Sequence, residues 1–237
     1  MSEHRALVRA RMFASELTTT VQSVLPDSPE FLARVNADAT RLQLSPFEAD
    51  GETAASMPLF IGGEKVAVWR LTMLLDLDSS GEYLKVTKSN FALSALVDRT
   101  PLVRFEFDDA MHTAPAAHWQ FHGERGAFSF LLGIAKANHK DVKPHSLASL
   151  HFPVGGARMR PGVADLLEFL VRECGFDALE DWEQAIREDR ARYRTIQART
   201  IARDMQAEVA AVLKAAGWDV SPPADVVETG TKFLRGW

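Results

Sequence analysis

The sequence predicts an α+β fold, with an antiparallel, meander-like sheet over about residues 65–152, N-terminal helices before it and a long C-terminal helical region after it. Three observations predict this class. Apolar residues recur at helical spacing in the first third of the chain. In the middle third they alternate with polar residues, as in strands that bury one face. Residues 179–216 contain neither proline nor glycine and are rich in helix-forming residues.

The bulk composition is that of an ordinary folded protein. The 237 residues are 46% hydrophobic and carry a net charge of −5, so the chain can bury a core and lacks the overall basicity of non-specific nucleic-acid binders. Cys174 is the only cysteine, which excludes an intramolecular disulfide and fits a reducing compartment. No stretch approaches the roughly 18 apolar residues of a transmembrane helix, and no secretory signal is evident. We therefore expect a cytoplasmic protein without a membrane partner.

The first third is expected to hold two helices. Apolar residues near helical spacing define the buried face of the first: Val8, Phe13, Leu17, Val21 and Val24. Ser28 and Pro29 are typical of a helix start, so a second helix is predicted from Ser28. Its buried face would carry Phe31, Val35, Ala39 and Leu42. Residues 45–58 are rich in proline and glycine and are predicted to form a loop.

The middle third is expected to form the sheet. Apolar and alternating runs predict strands over 65–77, 83–87, 102–107, 118–122 and 146–152. Residues 78–81 supply a turn between the first two strands. Because most of the links are short, neighbouring strands are expected to pair antiparallel. Residues 127–137 fit either a strand or a helix.

The last third is predicted to be helical. One helix runs from Pro161 to Cys174 and is stopped by Gly175. The segment without proline and glycine forms a long second helix, with a kink near 200–204 where its apolar positions move to another face. The chain then divides into a core domain over residues 1–178 and a C-terminal helical extension and tail over residues 179–237.

The densest polar chemistry lies on the hairpin made by the strands 102–107 and 118–122. Successive side chains of a strand point to opposite faces, and the aromatic residues of both strands are expected to share the core face. The opposite face then carries Arg104, Glu106 and Asp108 on one strand and His118, Gln120 and His122 on the other. Pairing of the strands places these groups side by side.

Two histidines beside carboxylates permit three interpretations. His118 and His122 can exchange protons as general acid and base, with Glu106 or Asp108 orienting the imidazoles. They can bind a divalent metal, with a carboxylate as a further ligand. They can also be hydrogen-bonded residues on an exposed polar face of the sheet. The spacing leaves all three open.

The segment that joins the last predicted strand to the following helix is a candidate phosphate site. Gly155 and Gly156 allow the backbone to approach a ligand closely. Arg158 and Arg160 precede a helix N-terminus, whose free N–H groups favour anions. If the strand that carries His151 lies beside the hairpin, three histidines and two arginines converge at a site suited to a phosphodiester. The alternative is a plain strand-to-helix turn with solvated arginines.

The long C-terminal helix is rich in arginine. Its apolar stripe is Trp182, Ile186, Tyr193, Ile196 and Thr200. The arginines that flank it are Arg187, Arg190, Arg192, Arg194, Arg199 and Arg203. Neighbouring acidic residues favour solvated arginines around a buried seam. A nucleic-acid surface, or a docking surface for a protein partner or a second copy through the 179–216 helix, is the alternative.

A short sequence pattern runs through the hairpin over residues 102–123. It consists of the strand Arg-Phe-Glu-Phe-Asp-Asp, a loop with a histidine, and His-x-x-x-His on the next strand. This pattern resembles TumE-type toxins of bacterial toxin–antitoxin and phage-defence loci, although the helical flanks of this chain are longer than those of such compact toxins. The resemblance implies an accessory protein that acts on RNA or nucleotides, or is held by a partner protein. It places Asp108, His118 and His122 at the matching positions.

Together these features favour a toxin-like bacterial protein that acts on RNA or nucleotides as a metal-independent, RNase-like hydrolase or transferase. The predicted catalytic residues are His118, His122, Glu106, Asp108 and His151, and the predicted phosphate-binding residues are Arg158, Arg160, Gly155 and Gly156. No cofactor and no resident metal are expected. The alternatives are a non-catalytic interaction or scaffold protein of such a system and, third, a metal-dependent enzyme.

Overall fold

An antiparallel sheet forms the centre of the computed structural model. The structure describes residues 2–35, 41–97, 100–111, 114–123, 152–154 and 158–224, together with residues 133, 136, 137 and 143. The strands are β1 (Glu30–Val35), β2 (Leu42–Phe47), β3 (Met57–Ile61), β4 (Glu64–Leu77), β5 (Leu84–Ala95), β6 (Pro101–Asp108), β7 (Ala117–Phe121) and β8 (Phe152–Pro153). The helices are α1 (Ser2–Gln22), α2 (Val163–Glu168), α3 (Trp182–Asp204) and α4 (Gln206–Ala215).

The strands of the middle third pair in sequence order, which confirms the predicted antiparallel meander and the α+β class. The order across the sheet is β1-β2-β4-β5-β6-β7-β8, with β3 also paired to β4. β4, β6 and β7 begin and end within one or two residues of the predicted strands. β5 continues to Ala95, well beyond the predicted end at residue 87. Of the predicted strand 146–152, the described part is Phe152, which belongs to β8.

The prediction of a second N-terminal helix was wrong. Residues from Glu30 to Val35 form β1, in which Phe31 and Ala33 are buried and their neighbours are more exposed. β1 pairs antiparallel with β2, so the sheet begins about 35 residues earlier than predicted, at residue 30 instead of 65. Phe31 and Val35 fit a helical spacing and an alternating spacing equally well. Pairing with β2 favours the strand over the helix, and the local sequence around Phe31 does not show that β2 will pair with it.

The predicted loop over residues 45–58 was also partly wrong. β2 includes Pro46, and β3 includes Pro58, at the two ends of this segment. Phe31 lies opposite Pro46 in the register, and its N–H is bound by the Thr18 hydroxyl at 2.9 Å instead of by a strand. Proline is tolerated at strand positions whose backbone donates no hydrogen bond to a neighbouring strand.

The helices cover one face of the sheet, and the core lies between them and the strands. Buried side chains of α1, α2 and α3 form one cluster with the inward residues of the strands, among them Trp69, Phe91 and Phe105. Trp119 of β7 continues this face by packing on Phe105 and Phe169. The intervening residues of β4 to β7 point to the opposite side, which we call the polar face. It carries Arg70, Thr72, Asn90, Ala92, Leu102, Arg104, Glu106, Asp108, His118 and Gln120.

The C-terminal helices begin and end close to the predicted positions. α2 continues into a π-helical turn, Phe169–Glu173, and Gly175 follows with a positive φ of 73°. α3 ends at Asp204, and Met205 separates it from α4, one residue past the predicted kink. The described residues contain no helix that is both long enough and apolar enough to cross a membrane.

The packing face of α3 differs from the predicted apolar stripe. Ile186 is buried, but Ile196 is half exposed, and Asp189 takes a buried position where its Oδ1 accepts a hydrogen bond from Thr20 Oγ1 at 3.4 Å. Several arginines of α3 are paired as the snorkelling interpretation predicts: Arg187 with Glu183, Arg190 with Asp165 and Glu168, and Arg192 with Asp189 and Glu16. Arg203 lies over the Tyr83 ring.

Candidate functional site

The register of β6 and β7 brings the predicted polar groups of the hairpin together. Glu106 lies opposite His118, and Arg104 lies opposite Gln120. On the other side of β6, Asn90 of β5 lies opposite Glu106. Alternation of the aromatic residues on the core face is the cause of this arrangement, because it leaves each intervening side chain on the polar face.

The His118 imidazole lies between a carbonyl oxygen and a carboxylate. Its Nδ1 lies 2.7 Å from the Pro115 carbonyl oxygen, and since a carbonyl can only accept, Nδ1 carries the hydrogen. Its Nε2 faces Glu106 Oε2 at 3.5 Å. The side chain is 1% exposed, which keeps bulk solvent away from the ring. His118 therefore holds the loop before β7 against the carboxylate of β6.

Glu106 receives polar contacts from the strands on both sides. Asn90 Nδ2 donates to Glu106 Oε1 at 2.6 Å, and His118 occupies the other carboxylate oxygen. The His118 ring is the main cause that lowers the pKa of the Glu106 carboxyl. Partial burial acts in the opposite direction, and the charges of His118, Arg104 and Lys88 lower this pKa further. Glu106 is thus a fixed anion within a line of side chains that crosses three strands.

His122 is the more accessible of the two histidines. It follows β7 directly, and its backbone N–H donates to the Leu102 carbonyl at 3.0 Å, which places it at the end of the polar face. Burial lowers the pKa of its imidazole, the positive charge of Arg104 lowers it further, and the negative charge of Glu106 raises it. Its Nε2 is buried and has no hydrogen-bond partner among the described residues. An imidazole whose pKa is lowered is neutral at pH 7, and a neutral imidazole can accept a proton from a group that reaches its unprotonated nitrogen.

Asp108 lies one step farther along β6 and has other partners than the histidines. Its Oδ2 forms an ion pair with Lys88 Nζ at 3.0 Å, and its Oδ1 accepts a hydrogen bond from the Ala110 N–H. Burial raises the pKa of its carboxyl, but these hydrogen bonds and the charges of Lys88 and Arg41 outweigh it, so that the pKa is lowered. Asp108 closes the end of the hairpin, and the structure brings Glu106, not Asp108, to His118.

The two arginines of the predicted phosphate site do not join the histidines. The Arg160 guanidinium stacks on the Phe107 ring, 3.9 Å from its centroid, and Phe107 belongs to the core face. Glu106 points to the other side of β6 because it is the adjacent residue of the same strand. Arg158 Nε forms an ion pair with Asp204 Oδ2 of α3 at 2.6 Å. Both arginines thus lie on the helical side of the sheet.

The start of α2, where a phosphate was predicted, is occupied by a carboxylate of the chain itself. Asp165 Oδ2 accepts a hydrogen bond from the Gly162 N–H at 2.9 Å. Its Oδ1 pairs with Arg190 Nε at 2.8 Å. An anion at a helix start is stabilised by the free N–H groups there, and Asp165 supplies that anion. Arg160 is fixed from the other side, where its carbonyl accepts a hydrogen bond from the Tyr193 hydroxyl.

The remaining predicted site residues lie outside the described residues. They are His151, Gly155 and Gly156. The strand that follows His151 does lie beside the hairpin, because Pro153 of β8 is paired with His118 of β7. The roles assigned to these three residues stay predictions.

Sequence reasoning missed two members of this site, Asn90 and Arg70, and it placed Arg104 on the polar face without giving it a role. Asn90 was placed outside a strand, because serine and asparagine interrupt the apolar run of β5. Arg70 and Arg104 lay within predicted strands but received no role, since their proximity depends on the order β4-β5-β6. The alternation of Arg70 with Trp69 and Leu71 was the signal that could have placed it on the polar face.

Comparison of the chain with known protein families, curated proteins and solved structures finds no significant match. The resemblance of residues 102–123 to TumE-type toxins therefore stays a prediction. Within the part of the chain that the structure describes, no group of three or more histidine, cysteine, aspartate or glutamate side chains is arranged to hold a metal ion.

Proposed function

We propose that the protein acts on the phosphodiester bonds of RNA or nucleotides, as a hydrolase or transferase, at the end of the polar face that carries His122. The observation that supports this most directly is the position of His122 beside Arg104 and Glu106. A neutral imidazole next to a guanidinium combines a proton acceptor with a group that binds phosphate oxygens. The toxin-like role of such an activity is part of the same proposal.

In the proposed reaction, His122 takes the proton of the attacking hydroxyl, either a ribose 2′-OH or a water molecule. The new P–O bond forms as the bond to the leaving oxygen breaks, and water supplies the proton that the leaving oxygen needs. Arg104 offsets the negative charge that develops on the phosphoryl oxygens. Glu106 limits how far Arg104 lowers the pKa of His122.

His118 has a different role in this proposal from the one suggested by its sequence spacing. A side chain that is 1% exposed and bound at Nδ1 does not reach a substrate on the surface of the sheet. We assign it to positioning, since it fixes Glu106, and Glu106 in turn acts on His122 through its charge.

The test is cleavage of labelled single-stranded RNA and of dinucleotides by the purified protein and by His122→Ala. Removing a general base lowers turnover by about 10²- to 10⁴-fold, so the variant is expected to lose nearly all activity while its thermal melt stays close to wild type. Lys214→Ala, an exposed change on α4, serves as the control and should retain activity. Wild-type turnover by His122→Ala, or no turnover by the wild type, contradicts the proposal. Growth arrest on induced expression in bacteria, absent in His122→Ala, would support the toxin-like role.

A second candidate, an interaction protein that associates through its C-terminal helices, is favoured by one observation. α4 has no buried side chain, while Val212 is 68% exposed and Trp218 is 66% exposed. Exposed apolar side chains on one terminal element are typical of contact surfaces. We expect the chain to form a dimer through them. Light scattering during size-exclusion chromatography should then show a monomer for Val212→Glu/Trp218→Ala and a dimer for the wild type and for Val97→Glu, a change at a distant exposed turn. A monomeric wild type would exclude the association of two copies through this surface.

A further inference from the structure

One line of side chains crosses the polar face at right angles to the strands. Arg70 of β4 lies opposite Ala92 of β5, Ala92 lies opposite Arg104 of β6, and Arg104 lies opposite Gln120 of β7. We call this line the arginine row. Neighbouring strands are about 4.8 Å apart, so the backbones that carry the two arginines are separated by about 10 Å. Ala92, which lies between them, has only a methyl group and is itself buried, at 7% exposure, whereas Arg70 is exposed and Arg104 is half-buried.

The positive charges of the arginine row are not neutralised by carboxylates of the described residues. Neither Arg70 nor Arg104 forms an ion pair there. The nearest carboxylates of the polar face have other partners, since Glu106 is bound by Asn90 and His118 and Asp108 is bound by Lys88. Arg158 and Arg190, on the helical side of the sheet, are by contrast paired with carboxylates at 2.6 Å and 2.8 Å. Two guanidinium groups that lie in one row without an ion-paired carboxylate among the described residues favour an anionic ligand that spans both.

Apolar side chains accompany the arginine row on the same face. Leu102 precedes Arg104 by two residues of β6 and is 45% exposed. On β2, which pairs with β4, the guanidinium of Arg34 lies over the Phe47 ring at 4.1 Å from its centroid. Single-stranded nucleic acids bind to surfaces that combine cations for the backbone with apolar or aromatic side chains for the bases. A rigid duplex keeps its bases stacked inside and cannot use such side chains.

We propose that the arginine row binds the phosphodiester backbone of a single-stranded nucleic acid, with successive phosphates at Arg70 and Arg104. The planar guanidinium fork matches two phosphate oxygens, and contacts of this kind are independent of base sequence. This inference rests on the proposed function, because the strand that lies along the row passes His122 next to Arg104. The row supplies affinity, and His122 supplies chemistry.

The test measures binding of fluorescein-labelled oligouridine and oligothymidine of about 15 nucleotides, a length that covers the site of one such surface, by fluorescence anisotropy over a series of salt concentrations. Arg70→Gln/Arg104→Gln is expected to weaken binding at least about tenfold. It should also reduce the slope of log K against log salt by about 1.4, because each lost phosphate contact on a single strand accounts for about 0.7. Arg199→Gln, an exposed arginine on α3, is the matched control and should bind as the wild type does.

The outcomes separate this inference from the proposed chemistry. His122→Ala should bind oligouridine with wild-type affinity, so a protein that binds through the row but does not cleave would overturn the chemistry alone. Cleavage by Arg70→Gln with an unchanged KM would overturn the row alone, because Arg70 has no part in the proposed chemistry. Tighter binding of oligouridine than of oligothymidine supports an RNA ligand, and the reverse supports DNA. Equal displacement of the oligonucleotide by polyglutamate at the same charge concentration would overturn nucleic-acid recognition, since it would show attraction to any polyanion.

Discussion

A buried imidazole between a carbonyl oxygen and a carboxylate links two segments that are otherwise joined by a loop. The His118 ring connects the Pro115 carbonyl to Glu106, and Asn90 extends the contact to a third strand. Each of these groups loses hydration when it is buried, and a polar contact with the neighbouring group replaces part of that hydration. Replacing one of them leaves its neighbours buried without a polar contact. The loss of folding free energy therefore exceeds the contribution of a single contact.

The lowered pKa of Glu106 gives the folding stability of the protein a dependence on pH. Its folded-state pKa lies below the ordinary value of 4.5, so the unfolded chain binds this proton more tightly than the folded protein does. The carboxylate therefore stabilises the fold fully above pH 4.5, and this stabilisation is lost as the pH falls through the lowered folded-state pKa. Glu106→Gln should lower the free energy of unfolding near neutral pH by on the order of 1 kcal/mol.

Urea unfolding at neutral and acidic pH measures this effect. The wild type and Glu106→Gln should converge in stability as the pH falls well below 4.5, because protonated Glu106 and glutamine are both uncharged. Glu82→Gln, at an exposed turn position, is the control and should follow the wild-type curve. Parallel curves for Glu106→Gln and wild type would show that this carboxylate is not coupled to folding.

At this scale, alternation alone predicted which side chains face each other but not how deeply they are buried. Val103, Phe105 and Phe107 fix the core face of β6, and Glu106 follows on the other face beside His118. The burial of His118 depends on what lies over the polar face and beside β7, which a strand pattern does not contain. The burial of a histidine side chain decides whether the histidine can contact a substrate or only stabilises the fold.

Among the secondary-structure elements, the junction of α2 with α3 is the most tightly constrained. Gly162 begins α2, and a Cβ at this position would lie 2.8 Å from Tyr193 Cδ1 of α3. The ring cannot readily move, because its hydroxyl is bound to the Arg160 carbonyl and its face is part of the packing. Glycine at this position thus sets the distance between the two helices.

Gly162→Ala is expected to destabilise the protein by about 1–3 kcal/mol through this overlap. Gly123→Ala is the matched control, because a Cβ there meets no atom within 4 Å. Both changes restrict the unfolded chain to the same degree, so the difference between their unfolding midpoints isolates the contact with Tyr193. Equal midpoints would show that α2 and α3 can separate without cost.

The prediction of elements succeeded where local signals and tertiary packing agree. Gly175 and Gly217 stop helices at the expected residues, with positive φ values of 73° and 88°. The prediction of β1 failed because Ser28-Pro29-Glu30 carries the local signal of a helix start. This segment instead forms the edge strand β1, because a strand conformation places both Phe31 and Ala33 in the core. A competition between a capping signal and a sheet partner is not visible in one sequence.

On the scale of the whole molecule, the sheet separates two sets of arginines with different environments. Arg158, Arg160 and Arg190 lie on the helical side, among carboxylates and aromatic rings. Arg70 and Arg104 lie on the polar face, without ion pairs among the described residues. The sequence predicted convergence of Arg158 and Arg160 with the histidines, and the faces of β6 separate them. Which side of a sheet a later helix packs on is a property of the complete topology.

The contact between the first helix and a helix near the end of the chain has a consequence for synthesis. Thr20 of α1 and Asp189 of α3 are hydrogen-bonded across 169 positions of sequence, whereas β4 to β7 pair with their immediate neighbours. A chain that emerges from the ribosome can therefore assemble the meander early, but the surface of α1 that receives α3 stays uncovered until α3 has been made. During that interval the nascent chain has a side of α1 open to chaperones, and the synthesis of α3, not strand pairing, sets when this part of the fold can close.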